Sequence, residues 1–412
     1  MKRRVVITGM GVVSPIGTGI DIFWENVKKG KCGIGLIENF DTTDYTVKLA
    51  AEVKDFDAKD YMDKKEAKRQ DRYCQFAVAA SEMAVKDSGL EVESLNSEKF
   101  GVIIGSAVGG IQTIETELAK LREKGPDKVS TFFIPMMLPN IASGIVAIKH
   151  KAKGVNFSTV TACASGSNAI GEALRKIQEG TCDVMIAGGA EAAITPGSIA
   201  GFAALTALST STDVNRASIP FDKEREGFVM GEGAGILILE EYEHAVKRNA
   251  KIYAEVAGYG STCDAYHITS PDPSAEGSSK AMADAIKDAG ITLEQIGYIN
   301  AHGTSTHYND KLETLAIKKV FNENAVNIPI SSTKSMTAHM LGAAGAVEAI
   351  ICVKSLEDSF IPPTINYAVP DPECDLDYVP NVGRQKEYDY AISTSLGFGG
   401  HNAALVIKKF IK

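Results

Sequence analysis

The sequence lacks the apolar runs that a membrane helix needs, since none approaches the roughly 18–20 residues that cross a bilayer. The basic start, Met1–Arg4, precedes a short apolar segment with two glycines and no small-residue cleavage site. We interpret this segment as a first strand rather than a signal peptide, and we expect no membrane insertion. The seven cysteines are scattered and contain no C-x-x-C pair. This spacing excludes a disulfide framework and a zinc module, so we expect no metal centre and a cytoplasmic protein.

Positive charge is also in short supply. Lys and Arg total 43 against 52 Asp and Glu, which gives a net charge of −9. Nucleic-acid binding draws most of its affinity from phosphate neutralisation, so this balance argues against a nucleic-acid partner. Nucleotide-binding loops are missing as well. No G-x-x-x-x-G-K-[ST] occurs, and the stretch Gly9–Gly11 lacks the third glycine of a dinucleotide fingerprint.

The composition that remains is that of a globular protein. Of the 412 residues, 44% are hydrophobic and 38 are glycine. The glycines separate short β-branched segments that alternate with helical patterns, and this alternation predicts an α/β fold. A chain of this length has enough apolar residues to bury a large core.

Four landmarks recur in the same order in the two halves of the chain. The pairs are AVKDSGL (84–90) with AIKDAGI (285–291), FGVIIGSA (from 100) with IGYINAHG (from 296), TACASGSN (from 161) with TAHMLGAAG (from 337), and GGAEAAI (from 188) with GGHNAAL (from 399). A period of about 200 residues predicts a duplicated domain rather than a solenoid. We predict an N-terminal half over residues 1–250 and a C-terminal half over residues 251–412. Chance similarity between α/β segments is the alternative.

The third landmark places Cys163 and His339 at equivalent positions. Each follows Thr-Ala and is predicted to begin a helix, and apolar spacing predicts the first of these helices over Ala164–Glu179. The macrodipole and the free N–H groups of a helix start favour the thiolate, so Cys163 is the candidate nucleophile. An inert core cysteine is the common alternative, and we adopt it for the other six. His302 follows a predicted strand end, where α/β proteins collect their chemistry, and becomes a second candidate beside His339.

Together these motifs resemble those of the β-ketoacyl-acyl-carrier-protein synthases, most closely the elongating synthase II branch of bacterial fatty-acid synthesis. The matching segments are VTACASGSN around Cys163, AHGTST around His302, KSMTAH around His339, GFGGHN around Phe398, and IPFDKEREGFVMGEGAG from Ile219. The resemblance covers essentially the whole chain. It implies a thiolase-like fold with two duplicated α/β halves in an αβαβα layering, which agrees with the repeat found independently.

The resemblance also implies a reaction, a decarboxylative Claisen condensation in fatty acid biosynthesis. Cys163 would take an acyl chain from acyl carrier protein, and the backbone N–H groups of Cys163 and Phe398 would bind the oxyanion. Malonyl carrier protein would then lose CO₂. Its enolate, stabilised by His302 and His339, would attack the acyl-enzyme and release a chain two carbons longer.

Several other residues acquire roles only through the resemblance. Lys334 and Glu348 would form an ion pair that supports the histidines, and Thr304 and Thr306 would bind pantetheine. Phe398 would be an aromatic gate with Gly399 beside it, and Val108 would line the acyl pocket. The family also implies a homodimer and a structural monovalent cation near Asn300 and Glu348. We expect no other cofactor.

Docking of an acidic carrier protein needs a local basic surface on an acidic synthase. Lys65, Lys68 and Arg69, called the basic patch below, match family docking positions, although a solvated helix face is the alternative. Thr206 stands where the family often has arginine, which leaves more of the docking to other residues. His401 replaces a more familiar threonine.

Other functions stay open at this point. A thiolase acting on coenzyme A thioesters would need a second reactive cysteine near the C-terminus, and Cys374 lies well before the corresponding GFGG segment. A stand-alone polyketide-type ketosynthase would share the same catalytic set. A silent chain-length partner would lack Cys163 or a histidine, and a cysteine hydrolase would leave the second histidine unexplained.

Overall fold

Strands and helices alternate along most of the chain, as the sequence predicts. The structure is a computed structural model that describes residues 2–411. The strands are β1 Val5–Ser14, β2 Gly17–Thr18, β3 Gly35–Leu36, β4 Leu49–Ala50, β5 Phe100–Gly105, β6 Asn156–Phe157, β7 Val184–Glu191, β8 Gly233–Glu241, β9 Ala254–Cys263, β10 Ile296–Asn300, β11 Ile330–Ser331, β12 Phe360–Ile361, β13 Arg384–Gln385, β14 Tyr390–Gly397 and β15 His401–Lys409. The α-helices are α1 Ile20–Lys28, α2 Lys64–Ala67, α3 Arg72–Ser88, α4 Ile111–Lys124, α5 Phe133–Met137, α6 Ile141–Lys149, α7 Ser165–Gln178, α8 Pro196–Ala204, α9 Tyr242–Lys247, α10 Glu276–Ala289, α11 His307–Phe321, α12 Lys334–Thr337 and α13 Ala344–Asp358.

The central sheet consists of two halves with the same strand order. The first half runs β6-β5-β7-β8-β1 and the second runs β11-β10-β14-β15-β9. In each half the second strand is parallel to both neighbours, and the remaining pairs are antiparallel. Within the sheet, the two halves meet where β1 pairs with β9 over two residue pairs. The shared order and polarity confirm the predicted duplication of an α/β unit.

The helices complete a layered arrangement. On the outer faces, α3 packs against β1, β7 and β8, and α10 packs against β9, β14 and β15. Between the half-sheets, α7 and α13 pack against each other and against strands of both halves. Twelve of the 15 residues of α13 are buried, so most of this helix has no solvent-facing polar side. The predicted αβαβα layering is confirmed.

Two of the four sequence landmarks mark equivalent positions. α3 and α10 both end at a left-handed glycine, Gly89 with φ 62° and Gly290 with φ 68°, a common helix stop. β5 and β10 then begin at the second landmark in each half. These matches hold because glycine stops and apolar strands are local features.

The other two landmarks do not hold as predicted. The 3₁₀ turns 162–164 and 341–343 precede α7 and α13 directly, so the helices align Cys163 with Gly342 and not with His339. Gly188 lies within β7, whereas Gly399 lies in the turn between β14 and β15. The predicted equivalence of GGAEAAI (from 188) with GGHNAAL (from 399) is therefore wrong. The predicted equivalence of Cys163 with His339 is wrong by three residues.

The apolar segment after the basic start is the buried strand β1, as predicted. Its glycines serve packing. A Cβ at Gly9 would lie 2.2 Å from the Ala84 carbonyl oxygen, and one at Gly11 would lie 2.0 Å from that of Ala80, so α3 sits directly on the strand. No helix within residues 2–411 has the length and apolarity to cross a membrane. The predicted seam between the halves falls in the link from α9 to β9, and the division at residue 250 stays a prediction.

Candidate active site

Four connections converge on one cavity of about 370 Å³. They are the β6–α7 link with Cys163, the segment after β10 with His302, the α12–α13 link with His339, and the β14–β15 turn with Phe398. Cys163, His302, His339 and Phe398, which the sequence analysis selected from four distant segments, therefore line the same cavity. Thr304, Thr306 and Thr206 line it as well.

Cys163 lies in a strained turn just before α7. The helix begins at Ser165 and ends at Gln178, within one residue of the prediction at each end. Ala162 has a left-handed φ of 49°, which costs a non-glycine residue roughly 1–2 kcal/mol. The Ser165 hydroxyl donates to the Ala162 carbonyl (2.6 Å) and accepts the Thr161 N–H (2.9 Å). These bonds hold the turn in its unfavourable conformation.

His339 does not begin a helix, contrary to the prediction. After α12 ends, Ala338 adopts φ 55°, and His339 forms a β-bridge with Met230. Helical structure resumes only at Leu341. Pairing with a distant segment therefore overrides the local helix signal at this position.

The sulfur and the two imidazoles form a tight cluster. Cys163 Sγ and one ring nitrogen of each of His302 and His339 all lie within 4.8 Å of one another. The two rings meet edge to face, with centroids 5.2 Å apart. Both Nδ1 atoms are buried without a hydrogen-bond partner among the described residues. One thiol and two imidazoles are also ligands that zinc and copper ions accept.

Burial sets the protonation states of the cluster. Desolvation, followed by the Lys334 charge, lowers the pKa of His302 and of His339 well below the ordinary value, so both rings are neutral at pH 7. Desolvation raises the pKa of Cys163 to about 12, against an opposing effect of Lys334. The sequence predicted instead that Cys163 favours the thiolate form. That prediction used the helix start, which the sequence indicates, and not the burial of the sulfur, which it does not. Attack by Cys163 therefore requires transfer of its proton to a neighbour, and a neutral imidazole is within reach.

A buried ion pair supports the cluster from behind. Lys334 Nζ on α12 lies 2.5 Å from Glu348 Oε1 on α13, with side-chain exposures of 1% and 4%. Burial raises the pKa of Glu348, and the Lys334 charge partly offsets this effect. Both side chains are thus buried, and the pair is not an ordinary surface ion pair.

Removing one member of this pair should be strongly destabilising. We expect Lys334→Met to lower the free energy of unfolding by about 3–5 kcal/mol, because it leaves the Glu348 carboxylate buried and unpaired. Urea denaturation measures the change. Lys280→Met, which breaks an exposed pair with Asp284, serves as control and should cost about 0.5 kcal/mol. Equal stability of the two variants would contradict the role of the buried pair.

Two acidic residues on α11, which the sequence analysis missed, shape the predicted histidine and threonine segment. Glu313 accepts the backbone N–H groups of His302 and Gly303, both at 2.7 Å, and burial raises its pKa to about 7. Asp310 accepts the N–H of Thr304 at 2.9 Å. The sequence offered one signal for this role: Asp310 and Glu313 are three residues apart on a helix that follows the AHGTST motif. The Thr304 and Thr306 hydroxyls lie 2.8 Å apart at the cavity wall.

A third missed carboxyl, Glu191 at the end of β7, joins the Val108 segment to the turn after His339. It accepts the N–H groups of Ala107 (2.7 Å), Val108 (3.3 Å) and Gly342 (3.0 Å). Burial raises its pKa to about 7. Val108 itself is half-buried in an apolar cluster that includes Cys163, but it does not line the cavity.

The turn that carries Phe398 packs directly against the nucleophile. The Phe398 ring lies 6.2 Å from the ring of Phe202. Gly399, with φ 85°, donates its N–H to the Ile268 carbonyl at 2.7 Å. A Cβ at Gly397 would lie 3.1 Å from the Cys163 nitrogen. Glycine thus permits both the turn conformation and its close approach to Cys163.

The basic patch lies away from the cavity lining. Its three side chains are exposed on and just after the short helix α2. The Arg69 guanidinium stacks over the Phe132 ring at 4.5 Å from its centroid. The structure therefore groups these residues with one another and not with the sulfur and histidines.

Known proteins share the sequence and the fold. Residues 2–245 match the model of the β-ketoacyl synthase N-terminal domain, and residues 253–368 match that of the β-ketoacyl synthase C-terminal domain. The chain belongs to the β-ketoacyl synthase family. It is 53% identical over 410 residues to a 3-oxoacyl-[acyl-carrier-protein] synthase 2 of Synechocystis sp., with 99% of each chain covered. A protein of the same name from Staphylococcus aureus is 53% identical over 409 residues, with the same coverage.

Solved structures of β-ketoacyl synthases superpose over the full chain. One from Burkholderia phymatum has a TM-score of 0.92 at 36% identity, and a type II polyketide ketosynthase in complex with its acyl-carrier protein has 0.92 at 38%. Both comparisons cover 100% of each chain. The resemblance inferred from the motifs is confirmed.

Proposed function

We propose that this β-ketoacyl synthase elongates acyl chains in fatty acid biosynthesis by condensing acyl carrier protein thioesters with malonyl carrier protein. The observation that carries the proposal is the cluster of Cys163, His302 and His339 within 4.8 Å. It occurs in a chain that is 53% identical to 3-oxoacyl-[acyl-carrier-protein] synthase 2. The protein is thus an acyltransferase with acyl carrier protein as its partner.

The first half-reaction transfers the acyl chain to sulfur. The Cys163 thiol attacks the thioester carbonyl while its proton passes to a neutral imidazole of the cluster. The backbone N–H groups of Cys163 and Phe398 are the candidate donors to the oxyanion, and Gly397 brings their two turns together. Collapse of the intermediate expels the carrier thiolate, which takes the proton back from the imidazolium. The product is the acyl-enzyme.

The second half-reaction forms the carbon–carbon bond. Malonyl carrier protein loses CO₂, and its electron pair moves to an enolate whose oxygen accepts the ring N–H groups of His302 and His339. Neutral imidazoles suit this role, because each retains one N–H donor in a site of low dielectric. The enolate carbon attacks the acyl-enzyme carbonyl and displaces the Cys163 thiolate, which takes up a proton from water and returns to the thiol. The released β-ketoacyl chain is two carbons longer.

A product assay separates this function from its closest rivals. With a medium-chain acyl carrier protein and malonyl carrier protein, we expect one CO₂ per β-ketoacyl product and a single round of condensation. Coenzyme A thioesters as the only substrates should give no product, whereas a thiolase would condense them. A polyketide-type ketosynthase would condense repeatedly without reduction and yield a poly-β-keto chain.

We also propose a structural monovalent cation near Asn300 and Glu348. Asn300 Oδ1, Ser393 Oγ and Glu348 Oε2 are buried and have no hydrogen-bond partner within residues 2–411. Asn300 and Ser393 are register neighbours on β10 and β14. Such oxygen donors fit a hard cation, which would compensate buried carboxylate charge. Potassium should raise the melting temperature of the wild type and not that of Asn300→Leu. An equal shift in both proteins would contradict the site.

The basic patch is proposed to dock the acidic carrier protein. Replacing all three of its residues by glutamate should raise the KM for the carrier substrate about tenfold and leave kcat unchanged, because rim charges act on association. The triple variant Lys247→Glu, Lys280→Glu and Lys287→Glu, on α9 and α10, is the matched control. A KM that rises equally in both triple variants would assign the effect to net charge instead.

A cytoplasmic homodimer is the proposed form of the protein. The edge strand β6 has no partner on its outer side within the described chain, and Ile148 and Val160 beside it are 80% and 53% exposed. Exposed edge strands need cover. Light scattering should give twice the chain mass of 43.8 kDa. All seven cysteines are free, which is typical of a reducing compartment.

A further inference from the structure

A relay of hydrogen bonds reaches the nucleophile turn from the other half of the molecule. The Tyr259 hydroxyl on β9 donates to Asn168 Oδ1 on α7 at 2.8 Å. Asn168 Nδ2 in turn donates to Thr161 Oγ1 at 2.7 Å. Tyr259 and Asn168 are 8% and 5% exposed. The relay therefore ends two residues before Cys163 and is shielded from water over most of its length.

The turn depends on contacts from outside itself. Ala162 holds a left-handed conformation, which persists only where the surroundings impose it. The Ser165 hydroxyl bonds are internal to the turn, whereas the Asn168 bond fixes the Thr161 side chain to α7 and, through Tyr259, to β9. A Cβ at Gly397 would lie 2.8 Å from the Thr161 carbonyl oxygen. Displacement of Thr161 would thus disturb both Cys163 and the turn that carries Phe398.

The tyrosine itself is fixed on several sides. Its ring packs where α7 has a glycine, since a Cβ at Gly171 would lie 2.4 Å from ring carbons. The Arg175 guanidinium donates to the Tyr259 carbonyl at 3.0 Å, and the Tyr259 N–H donates to Asp288 at 3.1 Å. Burial raises the pKa of Tyr259 to about 12, so the hydroxyl keeps its proton and remains a donor. The relay is therefore built to hold one geometry.

We propose that Asn168 and Tyr259 are positioning residues for Cys163. Neither residue lines the cavity, and together they hold Thr161 so that the strained turn presents the sulfur and the Cys163 N–H to the thioester. The proposal rests on the proposed function only for the choice of substrate. The geometry of Cys163 can be tested without any carrier protein.

Alkylation of Cys163 by iodoacetamide, located by peptide mapping, measures this geometry directly. We expect Tyr259→Phe and Asn168→Ala each to lower the alkylation rate and kcat about tenfold, the effect of one lost hydrogen bond in the reacting geometry. The KM for the acyl carrier substrate should stay within twofold. The double variant should be no worse than Asn168→Ala, because the two residues act in series.

Further variants separate positioning from general loss of stability. Tyr388→Phe removes a buried tyrosine hydroxyl that is bonded to Ser355, and we expect it to leave alkylation and kcat at wild-type levels. Thr161→Val should reproduce the defect and Thr161→Ser should not, which decides the question even if Asn168→Ala fails to fold. The proposal would be overturned if the relay variants had the same alkylation rate and kcat as Tyr388→Phe. It would also be overturned if the loss in the double variant equalled the product of the two single losses. Wild-type protein that is alkylated normally but never condenses carrier substrates would overturn the proposed function alone.

Discussion

Cys163→Ala is expected to lower condensation by about 10⁴-fold or more, because Cys163 is the one cysteine among the described residues that line the cavity. Decarboxylation of malonyl carrier protein should persist in this variant, since His302 and His339 still offer their N–H groups to the enolate. The measurement is CO₂ release and β-ketoacyl product in the same reaction. A large excess of CO₂ over product is the expected signature.

The control for this variant is Cys263→Ala. Cys263 is the exposed cysteine of the chain and lies outside the cavity lining, so its loss should leave both rates unchanged. Condensation by Cys163→Ala within tenfold of the wild type would refute the covalent mechanism. Loss of decarboxylation together with condensation would mean that the sulfur also takes part in the second half-reaction.

Removal of either imidazole should lower condensation by about 10²–10⁴-fold, the usual range for a positioned proton donor or oxyanion donor. In His302→Ala and His339→Ala, decarboxylation should fall with condensation, because the enolate loses one of its two N–H donors. His244→Ala is the matched control, since His244 pairs with Glu240 away from the cavity. If His302→Ala and His339→Ala both decarboxylated at the wild-type rate, the histidines would not be the groups that stabilise the enolate.

The pH dependence provides a second test of the histidines. Their pKa values are lowered well below the ordinary range, mainly by burial. Both rings therefore stay neutral as the pH falls from 7.5 to 6.5, and the decarboxylation rate should be level across this interval. A loss of rate with a midpoint near the ordinary histidine pKa of about 6.5 would contradict the neutral imidazoles.

Local features of the sequence predicted the fold and much of the site correctly. Both ends of α7 were predicted within one residue because its apolar spacing is a local feature of the sequence. The helix stops at Gly89 and Gly290 revealed the duplication for the same reason. The motifs around Cys163 and His302 indicated the family. Each is a short contiguous segment next to a single helix or strand, so it can be recognised without knowledge of tertiary contacts.

Features that depend on tertiary contacts could not be predicted from the sequence. Glu191 joins groups as distant along the chain as Ala107 and Gly342, and nothing local marks it. The direction of the Cys163 pKa shift was wrong because desolvation depends on what covers the sulfur. The predicted helix start at His339 was wrong because pairing with Met230 keeps that segment extended.

The central claim is that Cys163 carries the acyl chain. Intact-mass spectrometry after incubation with a medium-chain acyl carrier protein tests it most directly. We predict that the wild type gains the mass of one acyl group, that Cys163→Ala gains none, and that malonyl carrier protein then discharges the wild type as a β-ketoacyl product. Acylation of Cys163→Ala to the same extent, or a wild type left unmodified by every carrier-bound chain, would contradict the account.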